Sequence, residues 1–257
     1  MAGRGQGVAH RSRLVGVEAF SLASDHVYPR HAHDQFGIGV ITFGGHRSWS
    51  GVGAVEAGPG DVIMVNPGEL HDGAPMRGDP RGWRMLYFDP GFLAREMARP
   101  VASDPPLARR FARLFDAVID PTADPLALDQ GIEGLFGLLR RRHVARPDAP
   151  SGTPPSVKRA LARIEEAPEL PVSLAQLADL AGVSRFQLLR GFRRAVGVTP
   201  YAYLLQLRVR LAKRLLAAGL TPADCAAQAG FADQSHLTRA FQRQFGVTPG
   251  RYRAALI

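Results

Sequence analysis

The chain has 257 residues, of which 46% are hydrophobic and 21% charged, with a formal net charge of +9; this balance excludes a chain disordered throughout and leaves room for one or two globular domains. No stretch approaches the roughly 18 to 20 consecutive apolar residues that cross a bilayer, and the opening MAGRGQGVAHRSRLV lacks the apolar run of a secretory leader, so a cytoplasmic protein with no membrane partner is expected. Cys225 is the single cysteine, which excludes an internal disulfide and any Cys-x-x-Cys zinc or redox site.

Residues 1–13 read as a frayed end, with an arm folded over a pocket as the alternative. Over about 14–90 the runs LVGVEAF, FGIGVITF, DVIMVN and WRMLYFD are separated by Gly- and Pro-rich turns such as GVGAVEAGPG. Short strands at this spacing predict an antiparallel barrel or sandwich. Trp83, Met85 and Tyr87 alternate with Arg84, Leu86 and Phe88, so one set faces the interior; Trp83 and Tyr87 are taken as pocket residues. Over about 105–143 the period changes. Leu107, Phe111, Leu114, Phe115, Val118 and Ile119 share one helical face, as do Leu128, Ile132, Leu135, Phe136 and Leu139, with PTADP as the turn between them. The hairpin's stripe either packs on the barrel or forms part of a homodimer seam, and a homodimer is expected.

The segment ARPDAPSGTPPS (145–156) carries four prolines with Gly, Ser and Asp and reads as a linker between domains 1–144 and 157–257. Charge divides there too. Residues 157–257 hold 15 Lys+Arg against 6 Asp+Glu, whereas residues 1–156 hold 17 of each. A basic module beside a neutral one is the pattern of a polyanion-binding domain. Arg outnumbers Lys 30 to 2, so the sign and placement of the charge carry this argument, not the choice of Arg.

Beyond the linker a helical unit occurs twice. Ala178, Ala181 and Gly182 recur as Ala226, Ala229 and Gly230, and Gly197-Val-Thr-Pro200 recurs as Gly246-Val-Thr-Pro249. Each copy, about 174–196 and 222–245, has the grammar of a helix-turn-helix. Ala178 and Ala226 let two helices cross closely; Gly182 and Gly230 permit the positive φ of a short turn. Val183 and Phe231 are expected beneath the turns, and Ser184 and Asp233 at the starts of the second helices. Cys225, Phe192, Phe241, Phe245 and Tyr252 read as core. The helix over 201–219 spans roughly 27 Å at ~1.5 Å per residue, close to the ~34 Å between major-groove openings on one face of B-DNA.

At this point residues 170–255 resemble the AraC/XylS-type transcriptional regulators, most closely in GFADQSHLTRAFQRQFGVTPGRYR. The resemblance implies two recognition helices on double-stranded operator DNA, with Phe186, Leu189 and Arg190 of the first and Gln234, Ser235 and Arg239 of the second toward base edges. Arg185, Arg194 and Arg243 are better placed for phosphates. Arg193 and Arg214 read as solvated.

RHAHDQFGIGV and AGPGDVIMVNPGELHDGAP look like the two cupin motifs that accompany many such regulators as an effector-sensing barrel. His31, His33 and His71 match the three metal-binding histidines of catalytic cupins, but Gly37 or Ile38 stands where those enzymes have Glu. No cofactor is expected, the histidines instead bonding a ligand or one another; if a divalent metal is held, these three hold it, with Gln35 or Glu69 assisting. The implied protein is a two-domain α+β regulator and not an enzyme: a cupin-like barrel with a helical hairpin senses a small molecule, and an all-α domain binds DNA. It is expected to activate, and hence to meet RNA polymerase. The alternative is a metal-dependent cupin oxygenase fused to a DNA-binding module.

Overall fold

Two antiparallel sheets form the first half of the molecule. The computed structural model describes residues 6–51, 53–144 and 153–256, and the chain divides into two compact units, residues 1–148 with 254–257, and residues 149–253. The strands are β1 (Gln6–His10), β2 (Val17–Ser24), β3 (Tyr28–His31), β4 (Phe36–Phe43), β5 (His46–Ser50), β6 (Gly53–Ala57), β7 (Val62–Val65), β8 (His71–Pro75), β9 (Arg81–Phe88) and β10 (Val101–Ala102). One sheet runs β1-β2-β9-β4-β7-β10 and the other β3-β8-β5-β6. The expected barrel is therefore two sheets with free edges, since among the described residues no strand of one pairs with a strand of the other.

Residues 6–10 correct the reading of a frayed end. They form β1, paired with β2 from Gln6 opposite Ala23 to His10 opposite Ala19. An edge strand needs little apolar content because backbone hydrogen bonds supply the pairing. Val8 is half exposed, and His10 Nε2 lies 2.9 Å from Ser21 Oγ. Residues 1–5 lie outside the described residues.

The predicted hairpin is α1 (Pro105–Ile119) and α2 (Pro125–Arg142), each begun by an Asp whose side chain caps it, Asp104 and Asp124. Its apolar stripe packs inward. Leu107, Phe111, Leu114, Phe115 and Val118, with Leu128, Leu135, Phe136 and Leu139, form one buried cluster with Ile38, Val62, Met64, Leu86 and Phe88 of the larger sheet. Most of the stripe offered as a dimer seam is thus committed to the unit's own core. Arg84 adds an ion pair from β9 to Asp116 of α1 at 2.9 Å.

Of the predicted linker, residues 145–152 lie outside the described residues, and helix begins at Pro155. The second unit contains α3 (Pro155–Glu166), α4 (Leu174–Ala181), α5 (Arg185–Val196), α6 (Pro200–Ala217), α7 (Pro222–Gln228), α8 (Gln234–Phe245) and α9 (Pro249–Leu256). Ala178 and Ala226 are each 2% exposed, and Gly182 and Gly230 adopt φ of 67° and 75°, as close crossing and a left-handed turn require. Val183 is half-buried against a core cluster of this unit that includes Ala160, Ile164, Leu177, Leu188 and Leu204, and Phe231, Phe192, Phe241, Phe245, Tyr252 and Cys225 are buried. The repeated Val-Thr-Pro starts α6 and α9 alike, with Thr199 and Thr248 accepting a backbone N–H at 3.1 and 3.3 Å and Pro at the first helical position, where no N–H is needed. At 18 residues, α6 is about 27 Å long.

Candidate functional site

The basic unit presents two helices in the same local setting. A reciprocal cap opens α5: Gln187 N donates to Ser184 Oγ at 3.2 Å, and Ser184 N to Gln187 Oε1 at 2.9 Å. Asp233 opens α8, its Oδ1 accepting from His236 N at 2.6 Å. Each helix buries one face, Leu188 and Phe192 on α5, Leu237 and Phe241 on α8. That register turns Arg185, Phe186, Arg190 and Arg194 outward on α5, and Gln234, Ser235, Arg239 and Arg243 outward on α8. Phe186 is 71% exposed, an unusual position for a large apolar ring unless it meets something. Leu189 differs from its neighbours. It is half-buried and lines a cleft of about 350 Å³ with Leu174, Leu177, Tyr201 and Leu204.

Two arginines counted with the basic surplus have another task. Arg159 Nη2 donates to Ala181 O at 2.6 Å, at the end of α4. Arg208 reaches four carbonyls: Nε to Pro168 O at 2.7 Å, Nη1 to Gly230 O, and Nη2 to Glu169 O at 3.5 Å and Leu170 O at 3.2 Å. Each thus braces one helix-helix turn, where carbonyls otherwise lack donors. Sequence periodicity marks neither, because their partners lie 22 to 40 residues away.

In the first unit the three histidines converge. His31 and His71 are direct partners across β3 and β8, and His33 follows two residues on. Ring centroids are 4.4 to 5.1 Å apart, and one ring nitrogen from each lies within 4.8 Å of the others. His31 Nδ1 lies 2.7 Å from Pro29 O and His71 Nδ1 lies 3.0 Å from Glu69 O. A carbonyl can only accept, so both Nδ1 atoms carry the proton and both Nε2 atoms keep their lone pairs. Burial, reinforced by His71, pulls the pKa of His31 down to about 3 against the bond to Pro29, and burial lowers His71 as well. Neutral imidazoles result.

Trp83, Met85 and Tyr87 face the smaller sheet, as their contacts with Tyr28 and His33 require, while Leu86 and Phe88 join the helix-side core. Tyr87 stands 4.8 Å from His33, centroid to centroid. The carboxylate position of catalytic cupins is closed: a Cβ at Gly37 would meet the Tyr87 ring at 3.0 Å, and Ile38 faces the other way, into the helix-side core. Gln35 and Glu69, expected to assist, are bonded elsewhere, Gln35 to Asp89 at 3.0 Å and Glu69 to Asn66 at 3.0 Å.

Sequence reasoning also passed over His46 and Arg81. Arg81 is wholly buried, its Nε donating to His46 Nδ1 at 2.8 Å and its guanidinium 4.8 Å from the Trp83 ring; burial lowers its pKa to about 10. Burial, then the charge of Arg81, then His71 bring His46 down to about 3. Its folded pKa therefore lies below the ~6.5 of an unfolded histidine. The folded state declines a proton that the unfolded chain accepts, so stability is retained above about pH 6.5 and lost as pH falls toward 3, by a slope approaching about 1.4 kcal/mol per pH unit. Differential scanning calorimetry between pH 7 and 5 is expected to show the first unit melting earlier at the lower pH.

Comparison with known proteins follows the same division. Residues 15–143 match the family model for an AraC-like ligand binding domain, and residues 177–255 match a helix-turn-helix domain. The HTH-type transcriptional regulator YbfI of Bacillus subtilis is 33% identical over 225 residues, covering 82% of this chain and 81% of that protein. The HTH-type transcriptional regulator AlkR of Acinetobacter baylyi is 34% identical over 149 residues, 56% of this chain and 48% of that one. Among solved structures, unsaturated fatty acid bound ToxT from Vibrio cholerae shares the fold, with a TM-score of 0.55 at 12% identity over 93% of this chain and 95% of that chain. No described helix is long and apolar enough to cross a membrane.

Proposed function

The chain belongs to the AraC-like transcriptional regulators, in which a ligand-binding domain is joined to a helix-turn-helix DNA-binding domain, and from this we propose that α5 and α8 enter successive major grooves of one operator. The observation that carries the proposal is the pair of equally capped helices with matching outward faces. Phe186 and Arg190 on α5, and Gln234, Ser235 and Arg239 on α8, read base edges; Arg185, Arg194 and Arg243 hold phosphates. Phe186 offers no hydrogen bond, so it reads thymine methyl groups and groove shape. Leu189, at the cleft, supports the helix from behind.

Arg239→Ala is expected to cost about 1 to 3 kcal/mol at one operator position and to relax base preference there. Arg243→Ala instead weakens all sequences alike and reduces the salt slope of binding by about one. Fluorescence anisotropy on the full chain, over a salt series and a set of single-base operator variants, checks both. Uniform weakening by Arg239→Ala would move that residue to the phosphate group. Absence of any salt-dependent affinity for duplex DNA would overturn the proposal.

The sheet unit acts as a receptor for a small effector, which shifts the population of DNA-competent protein by binding two states unequally. The protein works in the cytoplasm as a homodimer and activates through RNA polymerase. A receptor is favoured over an oxygenase because neither Gly37 nor Ile38 supplies the carboxylate ligand that a two-histidine, one-carboxylate iron site needs, and Ile38 is turned into the helix-side core.

A further inference from the structure

We infer that the cleft behind α5 is a second ligand site, on the DNA-binding unit itself, for a small uncharged molecule with an apolar body and one hydrogen-bond-accepting oxygen, and that its occupancy tightens operator binding. The claim about operator binding rests on reading α5 as a recognition helix. Size comes first. The cleft holds about 350 Å³, whereas a cavity of roughly 150 Å³ already accommodates benzene. Two fused rings, or a chain of about eight to ten carbons, match the larger volume. Its chemistry is equally selective. Leu174 and Leu177 of α4, Leu189 of α5 and Leu204 of α6 form the walls, and no lining residue is charged, although residues 157–257 hold 15 Lys+Arg. A phosphate or an acidic segment finds no partner inside, and an unpaired charge buried there is costly. Thr199 and Tyr201 supply polar groups. Thr199 Oγ1 accepts from Ala202 N at 3.1 Å and keeps its own proton to donate; the phenol of Tyr201, a residue 62% exposed, has no hydrogen-bond partner among the described residues.

The second copy of the fold separates what folding needs from what the cleft needs. The repeat aligns α4 with α7 at a spacing of 48 residues, and α5 and α6 with α8 and α9 at a spacing of 49. Ala178, Gly182 and the Val-Thr-Pro start of α6 are kept in the second copy. The four leucines are not: Pro222, Cys225, Thr238 and Arg253 stand in their places, and Thr238 Oγ1 donates to Gln234 O at 2.8 Å. Crossing, turn and caps form in both copies, so the leucine walls answer to something other than the fold. Leu177 and Leu204 belong to the core of the unit and Leu174 packs on it, but Leu189 is only half-buried. On its cleft side it lacks the packing atoms that a ligand would bring. A molecule seated there touches α4, α5 and α6 at once and fixes the recognition helix against both neighbours, which leaves less ordering for DNA to impose.

The probe is 2-naphthol, two fused rings with one hydroxyl, titrated into the full chain by isothermal calorimetry in the absence of DNA. One equivalent with a Kd of about 10 to 100 µM is expected, with a rise in Tm of the helical unit. Leu174→Trp, which fills the cleft from the first turn of α4, should weaken binding by about tenfold or more. Tyr201→Phe, at an exposed position, should weaken it about 3- to 10-fold through one lost hydrogen bond. No binding overturns the site, and so does undiminished binding to Leu174→Trp, which would put the molecule elsewhere. Should Leu174→Trp fail to fold, Tyr201→Phe decides, and undiminished affinity in that variant overturns the site. Anisotropy on a labelled operator duplex then tests the role: saturating 2-naphthol should tighten binding of the wild type about 2- to 10-fold and leave Leu174→Trp unchanged. No change, or weaker binding, in the wild type overturns the regulatory role. DNA affinity without 2-naphthol is measured separately, so a chain that binds DNA but no 2-naphthol overturns the cleft site and leaves the regulator standing.

Discussion

Gly230→Ala is expected to destabilise the second helix-turn-helix strongly, whereas Gly182→Ala weakens the first by less. Both glycines adopt left-handed backbone, φ 75° and 67°, and a Cβ in that region costs about 1 to 2 kcal/mol. Their surroundings differ. At Gly182 the nearest atom to a new Cβ is the end of the Arg159 side chain at 3.8 Å, ordinary contact with a flexible group. At Gly230 a Cβ would meet Glu169 O at 2.2 Å, with Glu169 Cα at 3.0 Å. That oxygen belongs to backbone and cannot swing aside, so the turn or the loop before α4 must move, which costs about 1 to 3 kcal/mol more. A total of about 3 kcal/mol or more corresponds to a fall of about 12 °C or more in the melting of a unit this size. Differential scanning calorimetry of the full chain follows it, with the sheet unit as the internal reference. Equal losses from the two substitutions would mean that the Glu169 contact is not rigid.

Arg208→Ala is expected to come next, at about 3 kcal/mol. The residue lies on α6 and donates to Pro168, Glu169, Leu170 and Gly230 at once. It fastens the loop before α4 to the turn between α7 and α8, at the same close approach that excludes a Cβ from Gly230. Hydrogen bonds from a charged donor contribute about 1.5 to 3 kcal/mol each, less here because part of the group meets solvent. Arg208→Lys should recover under half of the loss, since a single ammonium cannot span the planar fork. The distinguishing measurement is the salt dependence of operator binding. Arg208→Ala lowers Tm but leaves the salt slope of the folded protein unchanged, while Arg243→Ala lowers the slope and leaves stability within about 0.5 kcal/mol of wild type. A reduced slope in Arg208→Ala would place that residue on the DNA instead.

The meeting of the histidines and the bracing at Arg208 belong to one contrast between local and distant information. Helix starts at Ser184 and Asp233 were legible because a cap links residues three apart. The same holds for the alternation that divides Trp83 and Tyr87 from Leu86 and Phe88, which a period of two determines without a partner. Helix-turn-helix duplication, the outward faces of α5 and α8, and the hairpin's buried stripe are likewise short-range patterns repeated along the chain. Residues 6–10 escaped notice because an edge strand is specified by the strand beside it, not by its own composition.

Sequence alone thus determined the division into a neutral sheet unit and a basic helical unit, the twin helix-turn-helix units, and which side chains of α5 and α8 point outward, Leu189 excepted. Only tertiary structure decided that Arg159 and Arg208 brace turns, that a backbone oxygen crowds Gly230 and not Gly182, and that β3 and β8 set His31 opposite His71 with the Tyr87 ring against Gly37. The reason is physical. Caps, periods and turn conformations are properties of a few consecutive bonds, whereas a guanidinium's carbonyls and a histidine's neighbours are chosen by strand register and helix crossing between residues up to 40 positions apart.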